Sequence, residues 1–124
     1  MKLFSFISLL FFLPTFFNLD INDDLLAAFR QNKSSEISKY FDEKVSMKII
    51  NQEDVLSKSQ AEANLNYFLE KHIIKSVVKQ KTTVINSYSH YLNALLECEN
   101  EKFRLTILVR RNLIAQMRIE LMNE

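Results

Sequence analysis

Glycine is absent from this chain of 124 residues, where average usage near 7% predicts about nine. Phosphate-cradling loops, the dinucleotide fingerprint and the strand-to-helix elbow of serine hydrolases all need glycine, for positive φ or for close backbone approach. Those three enzyme classes are excluded. Cys98 is the single cysteine, which rules out an intramolecular disulfide and a thiolate metal cluster. Its place in a strand-like run predicts a small buried apolar residue rather than a reactive thiol. The only two histidines, His72 and His90, have a spacing that matches no recognised ligand set. A net charge of +1 lacks the concentrated basic field that a phosphate backbone requires. No metal, cofactor or nucleic-acid partner is therefore expected.

What remains is an ordinary globular composition, 48% hydrophobic and 25% charged, at a length that fits one domain. The single proline, Pro14, closes a distinctive start. Met1-Lys2 is followed by an apolar run from Leu3 to Leu13, which matches a secretory signal peptide and is short for a bilayer span of about twenty residues. Pro14 breaks the helix where a cleavage region begins, although Thr15-Phe16-Phe17-Asn18 offers no pair of small residues. From Asp20 the composition turns polar. The expectation is a signal peptide, or an uncleaved N-terminal anchor, over residues 1–19 and a single α+β domain over residues 20–124. The protein is then exported, periplasmic or secreted, and touches a membrane only through an uncleaved leader.

Within the domain, Ile21, Leu25, Ala28 and Phe29 share one helical face, with Asp23 and Asp24 in the first turn and Arg30 in the last, as the helix dipole prefers. Asn32 predicts a left-handed stop. Ser34 or Ser35 is expected to cap a second short helix carrying Ile37, Tyr40 and Phe41. Val45, Met47 and Ile49 alternate with polar neighbours as a first strand, and Asn51-Gln52-Glu53-Asp54 reads as a turn. Ser57-Lys58-Ser59-Gln60 is a capping box, opening a helix whose stripe is Ala61, Leu65, Phe68 and Leu69 and which reaches about His72.

Four strands follow. The first, Lys75 to Ile85, has Val78 and Val84 on one face and Val77, Thr83 and Ile85 on the other. In the second, Leu92, Ala94, Leu96 and Cys98 share a face. Glu99-Asn100-Glu101 predicts a hairpin loop, with Asn100 the residue best suited to positive φ. Phe103, Leu105, Ile107 and Val109 line one face of the third strand. Arg111-Asn112 is the last turn, and Leu113, Ala115, Met117, Ile119 and Leu121 line the fourth. One apolar face and one mixed face describe an antiparallel sheet buried on one side.

In this order of elements the chain resembles the nuclear transport factor 2-like superfamily (ketosteroid isomerase-like, cystatin-like), and more closely a Bacteroidetes family of small exported domains of unknown function. The matching stretches are Leu25-Leu26-Ala27-Ala28-Phe29, Ile37-Ser38-Lys39-Tyr40-Phe41, Ser57-Lys58-Ser59-Gln60-Ala61-Glu62 and Gln116-Met117-Arg118-Ile119-Glu120. That family usually places glycine in the turn before the capping box, where this chain has Asn51-Gln52-Glu53-Asp54. The resemblance implies a cone-shaped fold with N-terminal helices packed on a curved, mostly antiparallel sheet. It also implies a signal peptide, a conical pocket and dimerisation through the sheet. It supplies no reaction, because fold does not determine function.

An isomerase or dehydratase would need a carboxylate or histidine projecting into the cone, with a polarising partner such as tyrosine. His90, near Tyr88 and Tyr91, shares the face of Leu92 while Tyr91 points away; a partly solvated histidine at a strand end is the competing account. His72 suits the dipole at a helix end, and Asp54 suits a turn. Arg104 and Arg118 would hold a carboxylate or phosphate if they emerge on one sheet face, against cross-strand pairing with Glu97, Glu99 and Glu120. Tyr67 lines a pocket or packs its helix. The ligand-binding candidates are thus Tyr67, His90, Arg104 and Arg118, and no residue is assigned to catalysis. The sequence predicts a non-catalytic domain that binds a small apolar molecule or peptide. The alternatives are an isomerase or dehydratase using a pocket histidine or carboxylate, and a structural homodimer.

Overall fold

A computed structural model describes residues 21–122; the expected leader lies outside them. Helix α1 (Ile21–Arg30) buries Leu25, Ala28 and Phe29 on the face its periodicity predicts, and Leu26 beside them. It ends at Asn32, which takes the left-handed conformation at φ 57°. The Asn32 side chain then meets the backbone of Ile74 twice, donating to its carbonyl at 3.1 Å and accepting from its N–H at 2.9 Å. Helix α2 (Ser34–Ser38) is shorter than expected and starts without a side-chain cap. Ser34 is buried, and its hydroxyl donates instead to Asn66 at 3.0 Å. Tyr40 and Phe41 leave the helix because the sheet claims them. The Tyr40 carbonyl accepts from Ile114 N–H at 2.6 Å, and Phe41 is already paired with Ile114.

Strand β1 (Phe41–Ile49) turns into β2 (Gln52–Ser57). The expected turn over Asn51 to Asp54 is corrected to Ile50–Asn51, because Gln52, Glu53 and Asp54 pair with Ile49, Lys48 and Met47. The price of a turn without glycine falls on Ile50, which sits at φ 59°, roughly 1–2 kcal/mol above the right-handed alternative for a residue with a Cβ. Its N–H is held by the Ile119 carbonyl at 2.8 Å. Helix α3 (Lys58–Lys71) opens on the capping box that the sequence shows. Gln60 N–H donates to Ser57 Oγ at 3.2 Å and Ser57 N–H donates to Gln60 Oε1 at 3.0 Å.

Strands β3 (Ile74–Asn86), β4 (Ser89–Cys98), β5 (Lys102–Arg110) and β6 (Leu113–Leu121) complete a six-stranded sheet of order β2-β1-β6-β5-β4-β3. All neighbours are antiparallel except β1 and β6. The inner face of β4 and β5 is the predicted one, Leu92, Ala94 and Leu96 against Phe103, Leu105 and Ile107. Two strands depart from simple alternation. An irregularity between Lys79 and Lys81 flips β3, so Val78 and Val84 lie on opposite faces, opposite Leu95 and His90 respectively. Another, between Leu108 and Val109, leaves Ala115 as the extra residue of β6. Ile114 therefore points inward with Met117 and Ile119, while Leu113 and Leu121 are exposed. Extra residues of this kind bend and twist a sheet, and this sheet bends around α1 and α3. Arg111 and Asn112, both at positive φ, form the two-residue turn between β5 and β6, the type I′ pattern that matches strand twist. Asn100 is not among the positive-φ residues.

The core is filled. Phe29, Leu65 and Phe103 are fully buried between helices and sheet, each contributing roughly 1.5–3 kcal/mol by leaving water. Replacing Ser57 with Ala removes one bond of the capping box and is expected to lower stability by about 1 kcal/mol. Urea unfolding checks this; an unchanged midpoint would remove the cap's energetic role.

Candidate functional site

With the centre of the cone occupied by side chains, the open space lies at its end. A cleft of about 640 Å³ separates the β1–β2 hairpin from the C-terminal half of α3. Met47, Ile49, Leu56 and Phe68 give it apolar surface; Asn51, Gln52 and Asn64 place amides around them, and Glu53, Asp54 and Lys71 supply charge. Local sequence explains each contribution. Met47 and Ile49 follow the inward parity of β1. Ile50 and Asn51 form the turn, and Asn64, Phe68 and Lys71 recur at helical spacing along α3.

His72 is the polar group at one end of this cleft and borders a second, shallower space of about 440 Å³ beside the β4–β5 turn. Its backbone N–H closes α3 on the Phe68 carbonyl at 2.8 Å. Its ring stacks on Phe68 with centroids 4.9 Å apart and meets the edge of Phe103 at 5.1 Å. Nδ1 lies 2.8 Å from Glu101 Oε1. Cys98, in the second space, is not a poised nucleophile: burial first, and the charge of Glu101 second, push its thiol up. Its Sγ–H points to the His72 carbonyl at 3.7 Å.

The four sequence candidates do not converge. Tyr67 lines the cleft, 63% exposed, with Lys71 Nζ 5.1 Å above its ring. His90 faces inward as parity predicts but at the far end of the sheet, where its Nε2 lies 2.8 Å from Asn22 Oδ1. Arg104 and Arg118 do emerge on one face, opposite Glu120 and Thr106 of the neighbouring strand, and that face is the outer one. Arg118 is occupied by Glu120 at 3.1 Å and Glu53 at 3.4 Å. Two residues that sequence reasoning set aside, His72 and Glu101, are the ones brought together. No local signal marks the pair; it follows from the β3–β4 register, in which Ile74 pairs with Cys98 and His72 comes beside the turn that holds Glu101. Among the described residues, no three histidine, cysteine or carboxylate groups cluster so that they could hold a metal ion.

The ionic chain Lys48–Glu120–Arg118–Glu53 ties β1, β6 and β2 together behind the cleft. The hydrogen bond from Lys48 holds the Glu120 carboxyl below its ordinary value against partial desolvation, and Arg118 adds to the lowering. A carboxylate with a lowered folded-state value stabilises fully above its unfolded value and loses that contribution as pH falls through the folded one. Glu120→Gln is expected to cost less than about 1 kcal/mol at neutral pH, because the pairs are partly solvated. The gap from wild type should close on acidification below the usual carboxylate range. Unfolding in urea across a pH series reads both; a gap that persists in acid would contradict the assignment.

Comparison with known proteins agrees with this geometry. A DUF4783 protein from Bacteroides uniformis is 26% identical, with a TM-score of 0.78 over 85% of this chain and 100% of its own. One from Bacteroides ovatus is 26% identical, with a TM-score of 0.75 over 82% and 94%. A domain of unknown function with a cystatin-like fold from Nostoc punctiforme shares the fold at 8% identity, with a TM-score of 0.65 over 84% and 74%. No curated protein matches the chain. The fold is that of the nuclear transport factor 2-like superfamily, α+β with helices on a curved, mostly antiparallel sheet. The family described as "Domain of unknown function (DUF4783)" matches residues 22–120, and the chain belongs to it.

Proposed function

We propose that the protein is an exported, non-catalytic binding domain whose site is the cleft between the β1–β2 hairpin and α3. The observation that carries this reading is a cleft of about 640 Å³ with apolar walls and a few polar groups between the β1–β2 hairpin and α3. That volume lies within the range of small-molecule sites, which pair apolar walls with a few polar groups. Ile50 supports it. A β-branched residue at positive φ is an outlier, and here it shapes the cleft wall, as strained residues at binding sites often do. The occupant is a small molecule with an apolar body, or a peptide side chain of similar character. The apolar run after Met1-Lys2, closed by Pro14, supports the export part of this reading, in which the occupant is met in the periplasm or outside the cell. No helix among the described residues is long and apolar enough to cross a membrane.

The test is mass spectrometry of small molecules that co-purify with the full chain, beside an Asn64→Trp variant that fills the cleft from an exposed helix position. Recovery of a compound from wild type and its loss from the variant support the site. Equal recovery from both would place binding elsewhere.

Self-association through the outer sheet face has separate support. Val78 and Leu95 pair side by side on that face, and Val78 is 46% exposed. Sedimentation is expected to show a dimer that Val78→Lys converts to monomer; monomer alone from wild type would end that reading.

A further inference from the structure

One polar group of the cleft is oriented before any ligand arrives. Glu101 Oε1 lies 2.8 Å from His72 Nδ1, and a carboxylate can only accept a hydrogen bond. In the neutral imidazole the proton is therefore on Nδ1 and the lone pair on Nε2. Phe68 against one face and the Phe103 edge fix the ring plane, so that lone pair has a set direction. Nε2 forms no hydrogen bond with any described residue and is not a buried unsatisfied atom. The side chain retains 23% of its exposure and borders the cleft. A base held by an orienting carboxylate on the edge of an open site, with its second nitrogen not hydrogen-bonded to any described residue, is an acceptor awaiting a donor.

Charge around it narrows the partner. Asp54 stands on the hairpin side and Lys71 on the helix side, while Glu53 is paired with Arg118 behind the hairpin at 3.4 Å. An anionic ligand would meet the Asp54 carboxylate in the cleft and Glu101 behind the imidazole. A neutral or cationic one would not.

Resting on the cleft reading above, we propose that His72 Nε2 is the cleft's hydrogen-bond acceptor. The ligand class is then a neutral or cationic molecule with an apolar body and an O–H or N–H aimed at that nitrogen. Glu101 is the positioning residue, acting through the imidazole and not on the ligand.

Three probes of one shape test this on the full chain: phenol, toluene and benzoate, followed by NMR at the Met47 methyl and the His72 ring nitrogens. Phenol is expected to bind about five- to tenfold more tightly than toluene, the worth of one hydrogen bond, and benzoate more weakly than phenol. His72→Phe keeps the ring packing and removes the acceptor, so phenol and toluene should bind it equally. Ring nitrogen shifts of the free protein give a second, ligand-independent measure. Wild type should show the proton on Nδ1, and Glu101→Leu should show a mixture of tautomers. Equal affinity for phenol and toluene in wild type, a proton on Nε2, or tighter binding of benzoate than of phenol would each overturn the acceptor role while leaving the cleft reading intact. Failure of all three probes to bind would overturn the cleft reading and this one with it.

Discussion

Curvature of the sheet is the constraint on which everything else depends. A flat six-stranded layer would bury one face of α3 and leave α1 in water. To enclose both helices it must bend, and proteins commonly bend sheets at glycine or at an extra residue in one strand. This chain has no glycine, so the second device carries the whole load. Irregularities interrupt pairing in β3 and between β5 and β6, and another separates Phe41 from Ser46 on β1. Because bending is distributed along strands rather than placed at hinges, packing beneath the sheet can be continuous. Phe29, Leu65 and Phe103 fill the space that an open cone would leave empty. The cleft survives at the end of the molecule because the β1–β2 hairpin projects past the last turns of α3.

The same absence governs the turns. Asn32, Ile50, Arg111 and Asn112 take positive φ with side chains attached. Three of these have compensation that can be named. Asn tolerates the left-handed region, and Asn32 gains two hydrogen bonds to Ile74. Arg111 places its guanidinium 4.6 Å above the Tyr88 ring. Ile50 has one backbone bond to Ile119 and packs its side chain against the edge of the hydrophobic core, on the wall of the cleft. Strain is tolerated where surrounding structure over-determines it, and such places are often where ligands sit.

Much of the fold was legible because its signals are local. The capping box at Ser57 to Gln60, the left-handed stop at Asn32 and the inward alternation of Phe103, Leu105 and Ile107 depend on neighbours within a turn or a strand. What escaped depends on distant partners. Ser34 looks like a cap until α3 offers Asn66 to its hydroxyl. Tyr40 and Phe41 continue a helical stripe until Ile114 pairs with them. Parity along β3 and β6 fails because one extra residue reverses every side chain beyond it, and nothing in the alternation of Leu113 to Leu121 announces the position of Ala115. The candidate site suffers most from this. Tyr67 was reachable from helical spacing, whereas the His72–Glu101 pair joins a helix end to a hairpin turn and becomes visible only once β3 and β4 are in register.

That pair also decides how the site should be read chemically. A histidine oriented by a carboxylate is half of an acid–base apparatus, and by itself it argues for an enzyme as well as for a binder. General-base catalysis further requires a group that stabilises the charge left behind when the proton is taken. Among the cleft residues, the hairpin side presents the Asp54 carboxylate, which would destabilise a developing anion. Tyr67 is largely solvated, and Lys71 lies over its ring, where its charge is directed at the aromatic face. An acceptor facing a negative rim stabilises a bound donor without stabilising the product of its deprotonation. On the proposed reading, this arrangement favours holding a proton-bearing ligand over ionising it.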